Sequence, residues 1–132
     1  MKFLLRTISI AFLAFIGLRF FDWWIIVVIA LAVGVIMSEK RPRRLFGKKK
    51  APAYAFLSGF LAIALVWGAM SWWLDSQNAS LLSQKIFELL SGGASSAVSP
   101  AWAMIGLTAC TGGLLGGFSS MTGNLLGEAI KN

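Results

Sequence analysis

Five carboxylates (Asp22, Glu39, Asp75, Glu88 and Glu128) and no histidine make up the acid–base inventory of this chain. Acid–base or nucleophilic catalysis needs a nucleophile beside a base, or two carboxylates facing one bond. Without imidazole, the base would have to be Asp75, Glu88 or a lysine. Asp75, in "WWLDSQN", is the strongest candidate because Gln77 and Asn78 follow it. Its plainer role is to end a span or cap the next helix. No residue is assigned a catalytic role, and the chain is expected not to be an enzyme. A single cysteine, Cys110, excludes an intramolecular disulfide, and without histidine no clustered Cys/His metal site can be built. No cofactor or metal is expected. "LTAC" at 107–110 has the look of a lipoprotein cleavage box but lies far from the N-terminus.

Hydroxyls are the other reactive group. Thr108, Thr111, Ser119 and Thr122 form a row on the last apolar segment. Such a row can replace an ion's hydration shell in a channel or carrier. Its commoner use is to satisfy backbone carbonyls or to bond neighbouring helices. The stretch "GGFSSMTGN" is similar to the Gly-then-Ser/Thr segment of small fluoride channels, but it sits in the last span, the wrong place for that family. Four-helix small multidrug exporters are similar in size, yet they depend on a glutamate within the first span, and residues 3–18 contain no acid.

The same segment carries a stripe of small residues. Steps of three and four give Gly106, Ala109, Gly113, Gly116, Ser120, Gly123 and Gly127; an adjacent stripe holds Cys110, Gly117 and Asn124. Inside a bilayer, oily side chains gain little by meeting each other instead of lipid. Small residues let backbones approach and gain van der Waals contact. A shorter row, Ala55, Ser58, Ala62 and Ala69, lies on the preceding span. Two readings stand: the two spans pack together within one subunit, or part of the stripe is an interface with another chain.

Twelve cations against five acids give a net charge of +7, and it is concentrated. "EKRPRRLFGKKK", residues 39–50, holds Lys40, Arg41, Arg43, Arg44, Lys48, Lys49 and Lys50. Cations clustered in one short loop between apolar runs point to anionic lipid headgroups or a partner, and not to nucleic acid.

These groups must be positioned by hydrophobic segments. Fully 58% of the residues are hydrophobic and only 13% charged, against about a quarter charged in soluble domains. The expected fold is all-α: an integral membrane protein of four spans plus a short amphipathic surface helix, in one membrane domain over 1–132. Spans are expected at about 3–18, 23–38, 53–74 and 101–128, with Arg6 snorkelling to the headgroups. The signal-like N-terminus lacks an A-x-A site after its apolar run and is expected to stay as an anchor. Between the first two spans, "RFFDWW" at 19–24 reads as a tight turn, with Gly17 as helix C-cap, Asp22 as N-cap and Trp23 and Trp24 in the interfacial belt. Pro42 and Pro52 break the basic loop 39–52. In the outer segment 75–99, Leu82, Ile86, Leu89 and Leu90 share one helical face, and Ser99–Pro100 opens the last helix. Placing the basic loop in the cytoplasm puts ten cations there and leaves only Arg19 and Lys85 outside. Both termini are then cytoplasmic, in a multi-pass protein of the inner membrane.

The stretches "RFFDWW", "WLDSQNASLLSQKI" and "GGLLGGFSSMTG", in this order, give the chain its resemblance to small four-span bacterial inner-membrane proteins with no assigned activity. The resemblance implies no catalytic residues. The function expected is that of a non-enzymatic membrane subunit or scaffold. It would assemble through the glycine-rich fourth span, with itself or in a larger complex. The alternative is a small oligomeric channel or transporter lined by the hydroxyl row.

Overall fold

Apolar runs with proline confined to their first turns fold into helices, because the backbone then satisfies its own polar groups. A computed structural model describes residues 2–38, 51–93 and 99–131; the basic residues Lys40, Arg41, Arg43, Arg44, Lys48, Lys49 and Lys50 lie outside that set. Its elements are α1 (Lys2–Phe20), α2 (Ile25–Ile36), α3 (Ala51–Gln77), α4 (Leu81–Ser91) and α5 (Pro100–Lys131). Pro52 lies in the first turn of α3 and Pro100 opens α5, where a missing N–H costs nothing. Among the described residues no strand occurs.

Three helices, α1, α3 and α5, are long and apolar enough to cross a membrane. The second expected span is shorter than its apolar run: α2 has 12 residues, about 18 Å. The turn before it forms differently from expectation. Helix α1 continues through Gly17 to Phe20, and Phe21 N–H donates to the Gly17 carbonyl at 2.9 Å. Gly17 is therefore no C-cap; it is a packing glycine, where a Cβ would stand 2.8 Å from Ile29 Cδ1. Nor does the Asp22 side chain cap α2. Trp24 precedes the helix without a side-chain cap, and Asp22 contributes its carbonyl, which accepts from Ile25 N–H at 3.1 Å.

The chain between α3 and α4 turns through two left-handed residues, Ala79 (φ 49°) and Ser80 (φ 58°). Such backbone costs about 1 kcal/mol or more per non-glycine residue, and Asp75 offsets it. Its carboxylate accepts from the Ser80 hydroxyl at 2.7 Å and from the Ser83 hydroxyl, tying the end of α3 to the first turn of α4. Helix α4 buries nothing; Leu82, Ile86, Leu89 and Leu90 are exposed along it.

The interior is built on α5, packed between α2 and α3. Helix α3 runs antiparallel to it, so Phe56, Phe60 and Trp67 lie over Gly117, Gly113 and Gly112. At the closest crossing, a Cβ on Gly116 would stand 2.7 Å from the Gly59 carbonyl, and one on Gly59 would strike the Gly116 carbonyl. Helix α2 runs parallel to α5 and approaches as closely: a Cβ on Gly34 would lie 2.5 Å from the Ser120 carbonyl, and one on Gly123 would strike the Leu31 carbonyl. Backbone-to-backbone packing of this kind gives dispersion and Cα–H···O contacts that lipid cannot replace. Helix α1 joins through a narrow strip, Arg6, Ile10 and Ala14, spaced four apart.

Candidate functional site

That strip carries an arginine inward. Because Ile10 and Ala14 seat α1 on the bundle, Arg6, one turn earlier on the same face, enters with them and is only 9% exposed. Its Nη2 donates to the Met37 carbonyl at 2.9 Å and to Asn124 Oδ1 at 3.0 Å. The expectation that Arg6 snorkels to headgroups is overturned. The acceptors it would have found there are supplied by the end of α2 and by a side chain of α5.

Asn124 has its own partner: Nδ2 donates to Glu128 Oε1 at 2.8 Å, one turn along α5. Another turn on, Lys131 Nζ donates to the carbonyls of Val35 (3.2 Å), Ile36 (3.1 Å) and Ser38 (2.7 Å). The four consecutive carbonyls 35–38 at the end of α2 thus receive hydrogen bonds from two cations, one on α1 and one on α5. A helix C-terminus leaves its last carbonyls without partners and carries partial negative charge. In a bilayer, where water is absent, both need answering from within the protein. Arg6 and Lys131 supply those donors from two neighbouring helices.

A cavity of about 630 Å³ adjoins this node, and Lys2, Tyr54 and Ser38 line it together with Arg6, Asn124 and Glu128. Ammonium, guanidinium, carboxylate, amide and phenol groups line it together. Among the same residues no group of three His, Cys, Asp or Glu side chains is arranged to hold a metal ion. The chemistry the node supports is hydrogen bonding that fixes three helices together. Sequence reading left Asn124 in a small-residue stripe and Glu128 at a span end. The signal was there: positions 124, 128 and 131 share a helical face in phase with Gly123 and Gly127, and a large amide is foreign to a packing stripe.

The other candidates fall elsewhere. Of the small-residue stripe, Gly113, Gly116, Gly117, Ser120, Gly123 and Gly127 are buried against α2 and α3 within the chain. Ala109 is half-buried beside Gly68, and Gly106 meets nothing. Ser120 Oγ is buried without a hydrogen-bond partner. Thr108, Thr111 and Ser119 each donate to the carbonyl four residues earlier on their own helix. Thr111 and Thr122 are exposed on the outside of the bundle. The Asp75 carboxylate is engaged by Ser80 and Ser83.

No protein-family model, no curated protein and no solved structure matches this chain.

Proposed function

We propose that the chain is a non-enzymatic, multi-pass subunit or scaffold of a bacterial inner membrane, with four crossings, both termini and the basic loop in the cytoplasm, and α4 lying on the outer surface. In this reading α2 is the fourth crossing, and local bilayer thinning or the polar node absorbs its short length. The observation that carries the reading is how the polar groups are used. Thr108, Thr111 and Ser119 bond their own helix, Asp75 holds a turn, and Arg6, Asn124 and Lys131 bond helices to one another. What then faces outward is mostly apolar: large side chains such as Phe12, Phe15, Leu65, Phe118 and Ile130 are exposed. The work of such a molecule lies on its lipid-facing surface.

Assembly, with a second copy or a larger complex, would then use outer faces of the bundle, because most of the glycine stripe is engaged within the subunit. The cytoplasmic cations Lys40–Lys50 would hold anionic headgroups or a partner, each worth about 1 kcal/mol near the surface. Extraction in mild detergent followed by native electrophoresis and identification of co-migrating chains tests this. A discrete homo- or hetero-oligomer is expected, and a lone monomer would refute assembly. Selective flux in liposomes, abolished by Thr111→Val and Ser119→Ala, would install the channel reading in its place.

A further inference from the structure

Toward the opposite end from the charged node, a second opening lies between α1 and α3. From Ile8 onward a slot of about 910 Å³ opens between them, with Phe12, Phe15, Leu65, Trp72 and Trp73 among its walls and Ala11 and Ala69 on its floor. One cation, Arg19, lines the same slot. Arg19 is exposed and makes no hydrogen bond or ion pair among the described residues. The nearest acid in sequence, Asp22, is exposed on the following turn and is not bonded to it. From this arrangement we infer that the α1–α3 slot is a phospholipid site, with an acyl chain between the helices and the phosphodiester on the Arg19 guanidinium.

Three features select this occupant. An apolar slot facing the bilayer takes hydrocarbon. A partner helix would need small residues to bring its backbone close, and these walls are mostly aromatic and long aliphatic side chains, which a flexible chain can follow and a rigid helix cannot. Finally, the lone cation stands level with Trp72 and Trp73, which suit the headgroup boundary, and guanidinium matches phosphate oxygens two at a time. The inference rests on the chain lying in a bilayer; it does not depend on what the chain assembles with.

The test uses the full chain, extracted in mild detergent, washed and weighed intact by native mass spectrometry. The wild type is expected to retain one phospholipid per chain. Arg19→Gln should lower occupancy about tenfold, the loss of roughly one charge-assisted contact. Ala69→Trp, which fills the slot, should abolish retention. Lys85→Gln, a cation outside the slot, should change nothing. Because Arg19 is exposed, its variant keeps the fold, and helical circular dichroism checks Ala69→Trp. Equal retention by wild type and Arg19→Gln would refute the site, as would a second copy cross-linked through Trp72. A wild type that carries no lipid after extraction refutes the site but leaves the spanning reading intact. Failure of the chain to fractionate with membranes overturns both.

Discussion

Arg6 and Arg19 lie near opposite ends of the same helix, yet one is buried and bonded while the other is exposed and open. Residue type does not distinguish them, and each lies within about a turn of its end of α1. The difference lies in what the neighbours present. Beside Arg6, α2 stops early and offers a row of carbonyls, and α5 offers an amide. Beside Arg19 the chain merely turns, and α3 shows indole rings that carry no strong acceptor. In this bundle the cation that goes inside is the one beside the end of α2, and the one beside a continuing helix stays exposed.

The largest effect should come from breaking the buried member of the pair. Arg6→Met takes the Arg6 donor from the Met37 carbonyl and from Asn124 Oδ1 and should destabilise the detergent-solubilised protein by about 3 kcal/mol, read from SDS-induced unfolding. Adding Asn124→Leu should recover part of that loss, since removing both partners costs less than orphaning one. Next comes the seam that brings these groups together. Gly123→Ala drives a methyl into the Leu31 carbonyl and should cost about 2 kcal/mol, whereas Gly106→Ala, with open space around it, should cost nothing measurable. Lys131→Met tests whether one cation suffices for the α2 end. With Arg6 still in place, a loss of about 1 kcal/mol is expected, together with faster amide exchange in the last turn of α2. Arg19→Met should move stability by no more than about 0.5 kcal/mol. A cost from Arg19 equal to that from Arg6 would erase the contrast.

Much of the architecture was legible in the sequence. Long apolar runs located α1, α3 and α5 to within a few residues, because span length and hydrophobicity are strong constraints. The turn after Phe20 and the amphipathic α4 followed from their tryptophans and leucine spacing. The caps of the first hairpin were misread: Gly17 and Asp22 have the right residue types, but α1 runs on to Phe20 and Gly17 packs against Ile25 and Ile29 instead. The charged node was out of reach for a different reason. Arg6 and Asn124 are 118 positions apart, and only the three-helix arrangement brings them to 3.0 Å. Spacing within one helix shows which face a residue occupies, but it cannot show which other helix ends opposite.

The trans-capping of α2 also sets an order of events during biosynthesis. The hairpin α1–α2 leaves the ribosome before α5, with the carbonyls of residues 35–38 exposed, and Asn124 and Lys131 follow Ser38 by 86 and 93 residues. At about 5–20 residues per second the hairpin waits roughly ten seconds for them. Throughout that interval its polar end needs a temporary host, such as interfacial water, headgroups or the insertion machinery. Arrival of α5 therefore closes the polar end of the hairpin, and a nascent chain stalled before Asn124 would leave α1 and α2 open to rejection by quality control.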